Sequence, residues 1–264
     1  MKIAIAQSKI AFEQPVHNLA LAENWIVQAA GEHCDCIVFP EMSFTGFSMH
    51  VSQIAPYSPE IQQKMVRLAQ RHRIAIGFGW VSEEPNGKGK NHYTLLNSAG
   101  ETVLDYVKIH PFSYGDEDQF YDSGDRIVSG TVCDIPMSAL ICYDLRFPEV
   151  FRLAARRSSL VLVPANWLER RSAHWQTLLR ARAIENQVYV LGVNCVGTQQ
   201  AYGFVGGSCL VDPEGNVLAD CGREEALVYA EFTDETAEFR ETFPTYRDVK
   251  LPLYTKLYRE ETEQ

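Results

Sequence analysis

Short apolar runs recur along this chain, most of them followed by a stretch with helical spacing, and that alternation restricts the fold to layers of sheet and helix. Lys2–Gln7, Cys36–Phe39, Ile74–Val81, Met137–Cys142, Leu160–Pro164 and Val188–Cys195 read as buried strands. Between them, Asn18 is placed to cap a helix reaching Ala30, and Ser58-Pro59-Glu60 carries a cap, a proline and an acid suited to a first turn. Ser172 is a third candidate cap, for a helix over Ala173–Gln187, and a shorter helix is expected over Phe147–Arg157.

The middle of the chain changes character. Pro85-Asn86-Gly87-Lys88-Gly89 and Ser98-Ala99-Gly100 are turns around strand-like runs, so the strand Thr102–Lys108 belongs to an antiparallel stretch. Ser113–Asp125 is polar, aromatic and acidic without a period, as a functional loop is. Phe204–Val211 and Val217–Asp220 flank Asp212-Pro213-Glu214-Gly215 as a hairpin, and Leu227–Phe232 is a last strand. No linker divides the body, so residues 1–233 are expected to form one α/β domain. Residues 234–264 differ: Phe243-Pro244 and Leu251-Pro252-Leu253-Tyr254 are proline-punctuated and apolar, an arm for the body or for a second subunit, ending in a frayed Glu/Thr tail.

Bulk properties narrow the function. Hydrophobic residues at 46% and charged residues at 22% are globular proportions, which argues against a disordered chain. A net charge of −10 with no long basic run disfavours nucleic acid and anionic membrane as partners. No run approaches the ~20 apolar residues of a membrane helix, and the first apolar run breaks at Gln7, too early for a secretory signal. Seven cysteines, odd in number and irregular in spacing, read as reduced thiols and so as a cytoplasmic protein.

Three strands end in chemistry. Phe39-Pro40-Glu41 places a carboxylate at a strand end, where partial desolvation suits it to general-base work. Lys108 closes Thr102–Lys108 in the same way, and Cys142 lies between a buried strand and a helix, close to backbone N–H groups that favour a thiolate. Taken singly, Glu41 and Lys108 are equally well solvated strand-end charges, and free cysteines are commonly inert core residues. Together they fit a ligand site, since open α/β sheets gather ligands at strand ends.

Val38-Phe39-Pro40-Glu41, Tyr106-Val107-Lys108-Ile109-His110 and Leu140-Ile141-Cys142-Tyr143-Asp144-Leu145-Arg146-Phe147-Pro148-Glu149 resemble the three signature blocks of the nitrilase superfamily of carbon–nitrogen hydrolases. Asn166-Trp167, His174-Trp175 and Arg180–Gln187 are similar to its ω-amidase branch, and the likeness runs over about residues 2 to 254. The resemblance implies a four-layer αββα sandwich, a Glu41–Lys108–Cys142 triad with Glu117 as a second glutamate, no cofactor or metal, and usually a homodimer. It further implies hydrolysis of a small linear amide through a Cys thioester, with a 2-oxo dicarboxylic ω-amide such as 2-oxoglutaramate favoured. The backbone N–H of Tyr143 then joins Lys108 in stabilising the oxyanion. Arg171 is the candidate clasp for the substrate carboxylate, with Phe44 and Trp167 as candidate walls. Phe47 stands where the family often has tyrosine, and Pro111 where it favours leucine.

Other readings remain open to the residues alone. The same triad serves nitriles and N-carbamoyl compounds. A papain-like enzyme would pair Cys142 with His110 or His174. His33-Cys34-Asp35-Cys36 is superficially metal-like, although without a second cluster at zinc spacing, and its two thiols alternate onto one strand face as core residues would. An inactive family member acting as a binding protein is the non-enzymatic alternative.

Overall fold

A computed structural model describes residues 1–262 of the chain; Glu263 and Gln264, the end of the expected frayed tail, lie outside the described residues. In the first half β1 (Lys2–Gln7), α1 (Pro15–Gly31), β2 (Cys36–Val38), α2 (Val51–Ile54), α3 (Ser58–His72), β3 (Ala75–Glu83), β4 (Gly89–Leu96) and β5 (Thr102–Val107) follow in order. The second half continues with α4 (Glu117–Phe120), β6 (Ser129–Val132), β7 (Ile135–Ala139), α5 (Pro148–Ala154), β8 (Leu160–Ala165), α6 (Ser172–Asn186) and β9 (Tyr189–Asn194). A hairpin of β10 (Val196–Gln199) and β11 (Tyr202–Val205) precedes β12 (Cys209–Val211), β13 (Val217–Asp220) and β14 (Ala226–Glu231). Two further helices, α7 (Thr236–Thr242) and α8 (Leu251–Thr262), complete the described chain.

Two six-stranded sheets form, in the orders β14-β1-β2-β3-β4-β5 and β13-β12-β9-β8-β7-β6. In each, three central strands run parallel, β1-β2-β3 and β7-β8-β9, and antiparallel strands extend both edges. Ile3, Ile5 and Tyr93 of the first sheet share one buried cluster with Met137, Leu162 and Leu191 of the second, so the sheets pack face to face. Ile37, Ile76 and Phe78 turn to the other side of the first sheet and bury Ile26 of α1 and Met65 of α3. Trp175, Leu179 and Ala183 of α6 cover the far side of the second sheet, which completes the helix–sheet–sheet–helix layering that the family resemblance implied.

Several local readings are corrected. Asn18 lies inside α1, where Pro15 opens the helix; its side chain instead ties Ala11 and the Phe44 carbonyl to the helix. Ser58 caps nothing, because its hydroxyl donates to the Val81 carbonyl at 2.6 Å. Ser172 is the first residue of α6 rather than its cap, which falls at Arg171. Phe204–Val211 is two strands, divided by Gly206 and Gly207 at φ of 63° and 72°. Leu251-Pro252 opens α8 instead of punctuating a coil, since proline is tolerated in a first helical turn. Cys34 and Cys36 part company, the first into the helix-side core and the second between the sheets, because Cys34 precedes the strand.

Candidate active site

The ends of β2, β5, β7 and β8 open on one side of the sandwich, and the segments that leave them carry the polar groups. Beyond β2, the Pro40–Met42 segment crosses directly over β3. It does so where Gly79 offers no side chain; a Cβ there would stand 2.4 Å from the Met42 nitrogen and 3.0 Å from the Glu41 carbonyl carbon. Ser43 fixes the crossing, donating its backbone N–H to the Gly79 carbonyl at 3.2 Å and accepting the Gly79 N–H on its hydroxyl at 2.9 Å. Glu41 is thereby held fully buried, deeper than the rim position its strand-end context implied.

The Lys108 ammonium meets Glu41 Oε1 at 2.8 Å and Glu117 Oε2 at 2.8 Å. All three side chains are buried. Burial works against the ammonium, but the charges of Glu117 and Glu41 outweigh it and hold Lys108 well above the usual lysine range. Burial raises the Glu117 carboxyl despite the pull of Lys108. Asn91 Nδ2 donates to Glu41 Oε1 at 2.8 Å and to Glu117 Oε1 at 3.1 Å. On the other Glu41 oxygen the backbone N–H of Asn166 donates at 2.9 Å.

Cys142 opens a short 3₁₀ turn that runs to Arg146, with φ of +47°, a left-handed conformation that a side chain adopts only when its surroundings impose it. Asp144, fully buried, imposes it. Its carboxylate accepts the Ile141 N–H at 2.8 Å and the Tyr106 hydroxyl at 2.8 Å, together with the N–H and the Nδ1 of His110 at 3.0 and 2.7 Å. One carboxylate thus ties the cysteine turn to the chain that leaves Lys108. The thiol donates to the Asn166 carbonyl at 3.9 Å, on the same residue whose N–H binds Glu41. Burial and the Glu41 charge push the thiol well above its ordinary range, with Lys108 pulling it back. A thiol held in such surroundings needs a base before it can serve as a nucleophile.

Cys142 forms part of a cavity of about 210 Å³. Its walls include Phe47, Phe112, Tyr114, Tyr143 and Trp167, and Arg146, Arg170 and Arg171 face it as well. Arg171 lies 4.7 Å from the Tyr114 ring centroid, and its Nη1 is buried with no hydrogen-bond partner among the described residues. Arg146 stacks over Trp167 at 4.6 Å; burial and the neighbouring Arg171 charge lower its pKa.

Most of the residues singled out in the sequence meet here. Glu41, Lys108 and Glu117 form the buried charge cluster, and Cys142, Tyr143, Trp167 and Arg171 border the cavity. Phe44 does not. It packs with Phe39 and Phe78 in the helix-side core, at ring separations of 6.5 and 6.2 Å, and Phe47 takes the wall instead. The two imidazoles are engaged elsewhere, His110 on Asp144 and stacked at 3.8 Å on Phe147, His174 beside the Arg146 guanidinium at 3.4 Å. Among the described residues no group of three or more His, Cys, Asp or Glu side chains is arranged to hold a metal ion. Sequence reading passed over Asn91, Asp144 and Asn166. The signal for Asn91 was present: it shares an inward strand face with Tyr93 and Leu95, where an apolar residue is the rule.

Comparison with known proteins agrees with this geometry. Over 96% of this chain and 98% of its own length, a 2-oxoglutaramate amidase of Bacillus subtilis is 34% identical. An omega-amidase of Escherichia coli is 33% identical, over 94% of this chain and 96% of its own. Among solved structures, an amidase from Nesterenkonia sp. AN1 in complex with acrylamide superposes with a TM-score of 0.89 at 25% identity, covering 97% of each chain. The sequence profile described as carbon-nitrogen hydrolase matches residues 2–241. Matched along most of its length by profile, by relatives and by fold, this chain belongs to the carbon-nitrogen hydrolase family.

Proposed function

We propose that this protein is an ω-amidase that hydrolyses the terminal amide of a short oxo-dicarboxylic acid, with 2-oxoglutaramate as the favoured substrate. The observation that carries the reading is one cavity with a thiol and an unpaired guanidinium on its walls, set against a buried carboxylate and ammonium. A volume of about 210 Å³ suits a small linear acid better than a drug-sized ligand, for which roughly 300–1,000 Å³ is usual. Likeness to the 2-oxoglutaramate amidase and omega-amidase relatives supports the same substrate class.

In this mechanism Cys142 Sγ attacks the amide carbon while Glu41 takes the thiol proton. The Lys108 ammonium and the Tyr143 backbone N–H stabilise the oxyanion, each donor contributing about 3 kcal/mol in comparable sites. Glu41 returns the proton to the departing ammonia and then activates water against the thioester, releasing the acid. Glu117 holds Lys108 in place alongside Glu41, accepting from the ammonium at 2.8 Å. At the far end of the substrate, Arg171 clasps the free carboxylate in a bidentate pair. Trp167 buttresses that arginine, since its indole N–H donates to the Arg171 carbonyl at 2.8 Å.

The wider setting in this reading is the cytoplasm, which seven free thiols suit, and the assembly is a homodimer. Residues 1–233 act as the catalytic body. The arm that follows presents Leu253, Tyr254 and Leu257 exposed on α8, apolar surface suited to a second subunit. An ammonia-release screen over ω-amides of keto acids, amino-acid amides, N-carbamoyl acids and nitriles tests the assignment. Highest kcat/KM on the ω-amides is the expected result. Preference for nitriles or N-carbamoyl acids would reassign the substrate within the family, and silence across the whole panel would favour a binding role.

A further inference from the structure

We propose that Asn91 is a positioning residue for this reaction, its side-chain amide holding the Glu41 and Glu117 carboxylates in fixed register around Lys108. Asn91 sits on the inward face of β4 in line with Tyr93 and Leu95, and its Oδ1 is buried with no partner among the described residues. An orphaned buried acceptor is destabilising, so stability alone would place an apolar side chain there. What the amide gains is on its other side, where both Nδ2 hydrogens are used, one on each carboxylate. The orientation is forced, because turning the amide over would aim a carbonyl oxygen at two carboxylates.

The same residue also anchors the main chain of the lysine. Its backbone carbonyl accepts the Lys108 backbone N–H at 2.9 Å, so a single strand position holds both carboxylates and the chain that carries the cation. Two carboxylates surround one ammonium, which leaves an excess of negative charge in a buried space. The positive edge of the Asn91 amide offsets part of that excess without adding a proton that could be lost. Charged or titratable groups face the cluster from each packed element: Glu41 after β2, Lys108 after β5, Glu117 on α4, Tyr121 just beyond it, Cys142 after β7 and Cys195 after β9. Hydrogen bonds to an ionised carboxylate favour the ionised form, so losing the amide favours proton uptake by the pair.

The inference rests on Cys142 as the nucleophile, and its test reads two quantities. One is the pH profile of kcat and KM on 2-oxoglutaramate. The other is the pH dependence of Cys142 alkylation by iodoacetamide, followed on the Cys142 peptide by mass spectrometry, which needs no substrate. Asn91→Leu should lower kcat on the order of 100-fold while KM moves by less than about threefold, as misplacement of a reacting group does. The acidic limbs of both profiles should move to higher pH. Asn91→Asp, nearly isosteric, adds a third carboxylate and should move them further; Asn91→Ser keeps one donor and should fall between wild type and Asn91→Leu. Wild-type limbs and kcat in Asn91→Leu, or in Asn91→Asp should the leucine variant not fold, would overturn the proposal. A wild-type protein that hydrolyses no amide would defeat the substrate reading instead, and the alkylation profiles would still judge Asn91.

Discussion

Lys108 Nζ lies 2.8 Å from Glu41 Oε1, a contact between residues 67 positions apart that is sealed from solvent on both sides. Burial of an ion pair is expensive, and this one is tolerable because every lone pair facing it has a donor: Asn91, Asn166 and Lys108 itself. A pair of this kind is weak ground for stability on its own. In the proposed reaction its value lies in a fixed positive charge, aligned before substrate enters.

Replacing Lys108 with methionine removes the ammonium that pairs with Glu41 and Glu117 and leaves two buried carboxylates without their counter-charge. Breaking such a pair costs about 3–5 kcal/mol of stability. Ammonia release should show kcat lower by roughly 100–1,000-fold, the loss expected for one oxyanion donor. Urea unfolding checks the first figure and steady-state kinetics the second. An unaltered kcat in a folded variant would remove Lys108 from the chemistry.

Arg171→Ala should act on binding rather than on the chemical step. Its guanidinium faces the cavity with Nη1 unpaired, so an anionic substrate supplies the missing partner. KM for 2-oxoglutaramate should rise by about tenfold or more, the loss of one charge-assisted pair at about 1.5–3 kcal/mol. KM for a neutral amide such as butyramide should change little. Equal effects on both substrates would reject the clasp.

Alkaline stability should depend on two thiols far from the cavity. Burial pushes Cys209 and Cys221 from 9.0 up to about 12. Below pH 9 both states keep these protons and their contribution is fully present. Between 9 and about 12 the unfolded chain releases protons that the folded chain retains, so stability falls as pH rises. The slope is about 1.4 kcal/mol per pH unit for each fully titrating thiol. Urea midpoints at pH 8.5, 10 and 11 should therefore fall less steeply in a Cys209→Ala, Cys221→Ala double variant than in wild type. Parallel slopes would contradict this account.

Much of the architecture was legible in the sequence because buried strands write themselves as short apolar runs, and β1, β8 and β9 fall within a residue or so of where those runs stand. Glu41, Lys108 and Cys142 stood out because each follows a strand and the family resemblance groups them; the structure joins Glu41 and Lys108 in one buried pair and sets Cys142 on the cavity. Phe44 was misplaced because Phe39, Phe44 and Phe47 look alike in sequence, and only the chain's crossing at Gly79 decides which ring faces the cavity. The β10–β11 hairpin went unseen because its turn uses Gln200 at φ of 51° rather than glycine or asparagine. Asn91 left a trace as a polar residue on an inward strand face, but its partners, and those of Asp144, lie far along the chain and only the fold brings them together.

The central claim is that the Cys142 sulfur does the covalent work, and ammonia release from 2-oxoglutaramate by Cys142→Ala addresses it without intermediaries. The variant should fold like the wild type, because the truncated side chain borders a cavity and leaves the Asp144 and Glu41 networks in place. It should release no ammonia above the uncatalysed background. Turnover at the wild-type rate from that folded variant would contradict the account.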